Sequence, residues 1–320
     1  MRNICVTSHS EDHLLSPSEA EAPTPRSGEL VITIAGAGVN RADVLQSRGL
    51  YPSPKGWPEW PGLECAGVVS AVGEGVAGFK VGDHVCALVG GGAYAEAIAV
   101  PADLVLPAPS GLTLVEAAGI MEAACTAWSN FMAARALPGE TLLIHGGSGG
   151  IGTFAIQVAK ALGLRVITTA RGPERVRRCL ELGADVAVDY ESEDFVDAAQ
   201  ALGGADVILD VIGAAYLERN LAALATGGRL VVIGLQRGAR AEVDLGTLMS
   251  KRASIIGTTL RARPHAERAA IVAAVGREIW PLIPDKVRPI IHQSLPLKDA
   301  QAAHDLLDSG EVFGKVILVP

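Results

Sequence analysis

Aromatic side chains are scarce in this chain of 320 residues, at 4%, although hydrophobic residues of all kinds make up 49%. A core with so few aromatic rings must be filled mainly by Ala, Val, Leu and Ile. Charged residues are also few, at 19%, so the chain lacks the low hydrophobicity and high charge that are typical of disordered proteins. At roughly 150 residues per domain, the length predicts about two folded domains.

The sequence has no long run of lysine and arginine, and its formal net charge is −8. Because a nucleic-acid-binding protein needs a basic surface, we expect no nucleic acid as the primary partner. Glu11, Asp12 and His13 stand where a secretory signal needs apolar residues. The most apolar window, 117–134, contains charged and polar residues and is more typical of a buried helix than of a membrane span. We therefore expect a cytoplasmic protein with no membrane partner.

Cysteine is also rare, and its five positions form no recognisable pair: Cys5, Cys65, Cys86, Cys125 and Cys179. No two of them have the C-x2-C spacing of a zinc site, and an odd number leaves one over in any disulfide framework. We therefore interpret them as buried free thiols in a reducing compartment.

The chain divides into a β-rich first part and a middle part in which short strands alternate with helices. A strand signal at 30–34 is followed by a proline-rich stretch over 51–61. From about residue 115 the pattern is typical of βαβ units and a doubly wound parallel sheet. We predict an α/β protein with a discontinuous β-rich first domain, residues 1–118 and 260–320, and a doubly wound domain over 119–259.

A glycine-rich segment stands between a predicted strand at 141–144 and a predicted helix at 149–162. Within it, Gly147, Gly149 and Gly152 satisfy G-x-G-x-x-G. Such glycines allow a tight turn, close approach of the backbone to a pyrophosphate, and close packing of helix on sheet. The N-terminus of the helix adds N–H donors and partial positive charge. The alternative is a structural glycine turn, but the strand–turn–helix context favours dinucleotide binding.

The end of the second predicted strand indicates which dinucleotide binds. An NAD site places Asp or Glu there to bind the ribose 2′-hydroxyl. No acid occupies this strand end, and Arg171 and Arg175 flank the expected place of a 2′-phosphate. Because arginine can bind a phosphate through two parallel hydrogen bonds, the sequence favours NADPH. The alternative is that both arginines are solvated surface side chains.

Several longer segments carry a family resemblance: VNRAD at 39–43, PGLECAG at 61–67, ILDVIG at 208–213, GTTLRAR at 257–263 and GKV at 314–316. With the glycine-rich segment, they resemble the quinone oxidoreductase branch of the medium-chain dehydrogenase/reductase superfamily over essentially the whole chain. Within the branch, the chain is most similar to the stress-induced quinone oxidoreductases and the crystallin relatives. The resemblance implies a GroES-like first domain, a Rossmann domain, and NADPH in the cleft between them.

The resemblance also implies roles for particular residues. Asn40 and Thr126 match residues beside the nicotinamide, and Tyr51 matches a tyrosine that lines the quinone pocket. We interpret these three as the candidate catalytic residues, with Tyr51 either binding the developing oxyanion or only packing in its loop. The candidate cofactor-binding residues are Asn40, Thr126, Gly147, Ser148, Gly149, Gly150, Ile151, Arg171, Arg175, Tyr190, Gly213, Arg261, Phe313, Gly314 and Lys315. For Arg261, the alternative is a side chain that simply faces water.

The ligands that bind catalytic zinc in the related alcohol dehydrogenases are missing from this sequence. Leu63 replaces the histidine of a Gly-His-Glu motif, Val39 and Asn40 stand where a cysteine would be, and residues 80–100 contain no four-cysteine loop. We therefore predict no metal in the site. Without a Lewis acid, hydride must go to an acceptor that is already electrophilic, such as a quinone or a conjugated enone.

These arguments predict an NADPH-dependent quinone oxidoreductase. One alternative is an enoyl or alkenal reductase, which would differ from it in the acceptor pocket. A second alternative is a nucleotide-binding protein of low turnover, like the crystallin members of the superfamily. The resemblance also implies a homodimer through the edge of the Rossmann sheet, with the strand near 254–256 as the candidate contact.

Overall fold

The computed structural model describes the backbone of residues 2–8 and 14–320 and the side chains of residues 14–320. The chain forms two compact units. The first comprises the described part of Met1–Cys125 with Arg261–Asp285 and Pro289–Pro320, and the second comprises Thr126–Leu260 and Lys286–Arg288. The domain boundaries at 118/119 and 259/260 stay a prediction. Glu11 to His13 and the side chain of Cys5 lie outside the described residues.

The strands follow one another as β1 (Arg2–Ser8), β2 (Leu15–Glu21), β3 (Glu29–Val39), β4 (Glu64–Val72), β5 (His84–Leu88), β6 (Ala97–Pro101), β7 (Val105–Pro107), β8 (Thr141–His145), β9 (Arg165–Ala170), β10 (Val186–Asp189), β11 (Ala205–Asp210), β12 (Leu224–Val232), β13 (Ser254–Gly257), β14 (Ile291–Pro296) and β15 (Lys315–Val319). The helices are α1 (Arg41–Ser47), α2 (Leu114–Ala117), α3 (Met121–Ala133), α4 (Gly150–Ala161), α5 (Pro173–Glu181), α6 (Phe195–Gln200), α7 (Leu217–Ala223), α8 (Leu245–Ser250), α9 (His265–Glu278) and α10 (Ala300–Asp308). Short 3-10 turns cover Ala102–Leu104, Ala214–Tyr216, Trp280–Leu282 and Leu297–Asp299.

The first unit is built on a seven-stranded sheet in the order β14–β15–β3–β4–β5–β7, with β6 also paired to β3. Strands β14 and β15 are parallel, whereas the other pairs are antiparallel. The long strand β3 is rich in Val and Ile and largely buried, because β15, β4 and β6 all pair with it. Gly67 permits this pairing, since a Cβ there would lie 2.0 Å from the carbonyl oxygen of Thr33.

The second unit is a six-stranded parallel sheet in the order β10–β9–β8–β11–β12–β13. All five residues of β8 are buried, as expected for a strand that helices cover on both faces. The strand order reverses between β8 and β11, and ligands of doubly wound sheets bind at the carboxyl ends of strands at such a reversal. The predicted α/β class with a doubly wound parallel sheet is confirmed.

Four cysteines with described side chains, Cys65, Cys86, Cys125 and Cys179, are free and buried. Burial raises the pKa of the Cys65 and Cys179 thiols to about 12, so both are protonated at neutral pH. No helix among the described elements combines the length and apolar character that crossing a bilayer requires.

Candidate functional site

The glycine-rich segment forms the turn between β8 and α4. Gly146 takes a left-handed conformation with φ of 73°, and its carbonyl accepts a hydrogen bond of 3.0 Å from the N–H of Gly149. Gly149 is the N-cap residue of α4 and provides no side-chain cap. The first N–H groups of a helix have no partner within the helix, and an anion such as a phosphate is a suitable acceptor for them.

The three motif glycines are needed for different reasons. A Cβ on Gly147 would lie 2.0 Å from Oγ1 of Thr168, and one on Gly152 would lie 2.2 Å from the carbonyl oxygen of Gly146. A Cβ on Gly149 would meet only that carbonyl, at 3.4 Å. Gly147 and Gly152 thus let the turn pack against the strand and the helix, whereas Gly149 leaves the backbone bare for an approaching pyrophosphate.

Arg171 and Tyr190 follow the carboxyl ends of β9 and β10, and Arg175 lies in the first turn of α5, where its guanidinium donates to the carbonyl of Arg171 at 3.4 Å. The Arg171 Nε donates to Oε1 of Glu191 at 3.0 Å, and the Tyr190 N–H donates to the carbonyl of Ala170 at 3.2 Å. Burial raises the pKa of Tyr190, while the charges of Arg171 and Arg175 oppose this rise. The structure therefore brings Arg171 and Arg175, which are predicted to bind a 2′-phosphate, close to Tyr190, another predicted cofactor-binding residue. Sequence reasoning missed Glu191, because it follows a different strand.

Gly213 lies at the same edge of the sheet, after β11. Its N–H donates to Oδ2 of Asp210 at 3.1 Å, and its φ is 82°. Burial raises the pKa of Asp210 to about 6, against the N–H groups of Ile212 and Gly213. A Cβ on Gly213 would lie 2.6 Å from the carbonyl oxygen of Gly238, so this turn also depends on glycine.

Thr126 is buried in α3, with 6% of its surface exposed. Its carbonyl accepts from Nδ2 of Asn130 at 2.7 Å and from Oγ of Ser129 at 3.3 Å. The Asn130 Oδ1 in turn accepts from the hydroxyl of Thr258. These bonds fix the backbone of Thr126 within the second unit, and the role of its side chain stays a prediction.

A buried ion pair in the first unit orients Asn40. The Lys315 Nζ donates to Oε1 of Glu64 and, at 2.7 Å, to Oδ1 of Asn40. The Asn40 Nδ2 donates to Oε1 of Glu64 at 3.0 Å. The Glu64 and Lys315 side chains are 0% and 4% exposed. Glu64 thus binds the nitrogen of the Asn40 amide and Lys315 binds its oxygen. The structure therefore brings together Asn40 and Lys315, two of the predicted cofactor-binding residues.

Asp43 caps the N-terminus of α1. Its Oδ2 accepts from the N–H of Asn40 at 2.8 Å, and its Oδ1 accepts from the N–H of Gly62 at 2.9 Å. Burial raises the pKa of Asp43 to about 6, while these two N–H groups and the charges of Lys315 and Arg261 oppose the rise. Asp43 is therefore a capping residue.

Arg261 holds the loop that contains Tyr51. Its guanidinium donates to the carbonyls of Gly90 at 2.7 Å and Tyr51 at 3.0 Å. It also donates to Oε1 of Gln46 at 2.7 Å and to Oγ of Ser53 at 3.0 Å. Its Cζ lies 5.0 Å from the centroid of the Tyr51 ring. Arg261 is 6% exposed, so the alternative that it faces water is wrong, and its predicted contact with the cofactor stays a prediction.

Phe313 and Gly314 precede β15 in the first unit. Phe313 is buried, and Gly314 has φ of 93°. A Cβ on Gly314 would lie 2.1 Å from the carbonyl oxygen of Ile290, and that carbonyl accepts from the N–H of Lys315 at 2.8 Å. The segment is therefore packed against Ile290, the residue before β14, and its predicted contact with the cofactor stays a prediction.

His145, at the end of β8, is 2% exposed. Its Nε2 lies 2.7 Å from Oδ1 of Asn220, and its Nδ1 lies 3.1 Å from Oγ1 of Thr169. Burial lowers the pKa of His145 to about 4. Sequence reasoning missed Thr169 and Asn220, because Asn220 lies 75 positions away along the chain.

Two family models match the chain, the alcohol dehydrogenase GroES-like domain over residues 26–110 and the zinc-binding dehydrogenase domain over residues 150–275. A quinone oxidoreductase of Rattus norvegicus is 33% identical over 313 residues, which cover 94% of this chain and 92% of that protein. The chain belongs to the quinone oxidoreductase type of the medium-chain dehydrogenase/reductase family. The predicted family and the GroES-like and Rossmann folds are thereby confirmed.

Solved structures of this family superpose on the whole chain. The quinone oxidoreductase of Thermus thermophilus, solved also as its complex with NADPH, is 32% identical with a TM-score of 0.86 and covers 100% of both chains. An NAD-dependent alcohol dehydrogenase is 30% identical with a TM-score of 0.88, again over 100% of both chains. Similarity of fold therefore does not distinguish an NADPH site from an NAD site, and the choice of cofactor has to be argued from the side chains of the site. Among the described residues, no three His, Cys, Asp or Glu side chains are grouped as a metal site.

Proposed function

We propose that this quinone oxidoreductase-type protein transfers hydride from NADPH to a quinone. The observation that carries the proposal is the bare glycine turn before α4, with Arg171 directly after the neighbouring strand β9 and Arg175 in the first turn of α5. The turn suits a pyrophosphate, and two guanidinium groups suit a 2′-phosphate. The quinone oxidoreductase names of relatives that match nearly the full length support the acceptor class.

In this proposal, the backbone of Ser148, Gly149, Gly150 and Ile151 binds the pyrophosphate, and Gly147 and Gly213 allow its approach. Arg171, Arg175 and Tyr190 bind the 2′-phosphate, while Arg261, Phe313, Gly314 and Lys315 complete the predicted set of cofactor contacts. NADPH supplies the hydride when it is bound.

The chain's own residues supply orientation and charge stabilisation. Glu64 and Lys315 fix the Asn40 amide, and in this proposal Asn40 orients the nicotinamide. Thr126 is the second residue with this proposed role. The Arg261 guanidinium, close to the Tyr51 ring, favours negative charge near that tyrosine. Tyr51 hydrogen-bonds the oxygen on which charge develops as the quinone is reduced.

We further propose that the reaction is metal-free, since Leu63 and the pair Val39–Asn40 stand where the related alcohol dehydrogenases have zinc ligands. We also propose a cytoplasmic location, because the cysteine pattern suits a reducing compartment.

We propose a homodimer formed through β13. This strand is the edge of the six-stranded sheet, and exposed apolar side chains lie on it and on α8. Ile255, Leu245 and Met249 are 38%, 64% and 75% exposed. An apolar, unpaired strand edge favours pairing with a second copy. A monomeric mass by light scattering at micromolar concentration would contradict this arrangement.

The test is oxidation of NADPH and NADH with a panel of quinones and an alkenal, in the presence of EDTA. Turnover of quinones with a preference for NADPH is the expected result. Turnover of the alkenal alone would assign the site to enone reduction. NADPH binding without turnover of any acceptor would instead support the crystallin-like alternative.

A further inference from the structure

A chain of buried hydrogen bonds runs from α7 to the glycine turn. Asn220 Oδ1 lies 2.7 Å from Nε2 of His145, and Nδ1 of His145 lies 3.1 Å from Oγ1 of Thr169. The same Oγ1 accepts from the N–H of Gly146 at 3.3 Å. Asn220, His145 and Thr169 are 0%, 2% and 2% exposed, so water does not compete for these bonds.

With the Asn220 amide oxygen facing His145, as in the structure, the donors and acceptors along this chain have one consistent direction. An amide oxygen accepts only, so Nε2 of His145 carries the proton and donates to Asn220. Nδ1 of the neutral imidazole is then an acceptor, and it takes the hydroxyl proton of Thr169. A lone pair on Oγ1 of Thr169 is thereby directed to the N–H of Gly146. His145 thus sets the orientation of the Thr169 hydroxyl.

Aromatic packing keeps the imidazole in place. The Phe195 and Tyr216 rings meet it edge to face, with ring centroids 4.7 Å and 5.0 Å away. The Arg219 guanidinium lies 4.3 Å from the centroid of the Phe195 ring. This apolar packing and the nearby positive charge both favour the neutral imidazole that the hydrogen-bond chain requires.

Thr169 holds the glycine turn at two adjacent residues. Its hydroxyl accepts from the N–H of Gly146, and its carbonyl accepts from the N–H of Gly147 at 2.9 Å. Gly146 in turn accepts from the N–H of Gly149 and packs closely against Gly152. A shift of Gly146 therefore moves the backbone that leads into α4.

We propose that His145 and Thr169 are positioning residues that hold the glycine turn in the geometry that binds a dinucleotide pyrophosphate. Neither residue touches the ligand in this proposal; both act through Gly146. The inference rests on the proposed NADPH-dependent function and assigns a role to a buried histidine that takes no part in the proposed hydride transfer.

The test compares Thr169→Val, which removes the hydroxyl and keeps the β-branched shape, with Thr169→Ser, which keeps the hydroxyl. Thr141→Val is the matched control, because Thr141 is a buried threonine at the opposite end of β8. The Kd for NADPH is measured by titration calorimetry, and the Kd for adenosine 2′-monophosphate, which has no pyrophosphate, is measured in parallel. Urea unfolding of each variant reports its stability.

We expect Thr169→Val to raise the Kd for NADPH about tenfold, the equivalent of one hydrogen bond, and to raise KM for NADPH without changing kcat. Thr169→Ser and Thr141→Val should stay within about twofold of the wild type, and binding of adenosine 2′-monophosphate should be unchanged in all variants. His145→Gln, which cannot reproduce the imidazole geometry, should resemble Thr169→Val.

An unchanged Kd for NADPH in Thr169→Val would overturn the inference, and so would equal losses for NADPH and adenosine 2′-monophosphate, or an equal loss in Thr141→Val. If Thr169→Val does not fold, Thr169→Ala removes the hydroxyl without an added methyl group and is judged by the same results. A wild-type protein that does not bind NADPH would instead contradict the proposed function.

Discussion

The ammonium group of Lys315 and the carboxylate of Glu64 form a buried ion pair between residues that are 251 positions apart in the chain. Glu64 stands at the start of β4 and Lys315 at the start of β15, and both strands flank β3 in the sheet. Gly38 of β3 makes room for the carboxylate, because a Cβ there would lie 2.4 Å from Oε1 of Glu64. The pair therefore depends on the meeting of three strands.

Removing the charge of Glu64 alone should destabilise the protein strongly. Glu64→Gln leaves Lys315 buried without its counter-ion, and we expect a loss of about 3 to 5 kcal/mol in the free energy of unfolding. The double variant Glu64→Gln with Lys315→Met should recover part of that loss. Urea denaturation of the two single variants and the double variant measures the coupling. Glu181→Gln, which removes an exposed ion pair with Arg177, is the control and should change the free energy of unfolding little, because solvent screens exposed pairs.

The preference for NADPH should depend on Arg171 and Arg175. We expect the double variant Arg171→Ala with Arg175→Ala to raise the Kd for NADPH at least tenfold, since hydrogen bonds between charged groups contribute about 1.5 to 3 kcal/mol. The Kd for NADH should change little. Arg177→Ala is the control, because Arg177 lies on α5 with Arg175 and forms exposed ion pairs with Glu174 and Glu181. Equal losses for both cofactors would show that the arginines do not bind the 2′-phosphate.

Arg261 should act through the Tyr51 loop. Arg261→Lys keeps the charge but cannot reach four acceptors at once, so we expect kcat/KM for the quinone to fall by about tenfold, the equivalent of one or two neutral hydrogen bonds. The Kd for NADPH should rise as well, because Arg261 is also one of the proposed cofactor contacts. Steady-state kinetics and calorimetric titration separate the two effects, and Arg263→Lys serves as the control. An unchanged Kd for NADPH would mean that Arg261 does not bind the cofactor.

The stability of the first unit should depend on pH through His304. Burial lowers the pKa of His304 to about 4, against the charge of Asp308, and its Nε2 lies 3.1 Å from the Tyr94 hydroxyl. The unfolded chain takes up a proton near pH 6.5, whereas the folded protein excludes it until about pH 4. The contribution of neutral His304 is therefore present above pH 6.5 and is lost as the pH falls toward 4.

Between pH 7 and pH 5, we expect the wild type to lose about 2 kcal/mol of stability relative to His304→Gln, which has no titrating group there. Urea unfolding of both proteins at the two pH values gives this difference. The raised pKa of Asp43 changes the stability in the opposite direction as the pH falls. Because Asp43 is present in both proteins, its effect cancels when their free energies of unfolding are compared. A difference that does not change with pH would show that His304 has an ordinary pKa in the folded protein.

Local patterns allowed much of this architecture to be predicted from the sequence. Strand β8, the glycine turn and α4 are contiguous, so apolar periodicity and the spacing of Gly147, Gly149 and Gly152 were sufficient to predict them. The contacts of Arg261 were not predictable, because Gln46 lies 215 positions away. No local pattern shows that Gln46 accepts a hydrogen bond from the distant Arg261.

The position of β15 determines when the first unit can be completed as the ribosome makes the chain. The second unit is almost entirely contiguous, over Thr126–Leu260, and its whole sheet has been synthesised before residue 261 is added. In the first unit, β3 pairs with β15, and until β15 is made Glu64 lacks the ammonium group of Lys315. The second unit can therefore fold ahead of the first, and the Asn40 side chain reaches its final orientation only when the last strand has been synthesised.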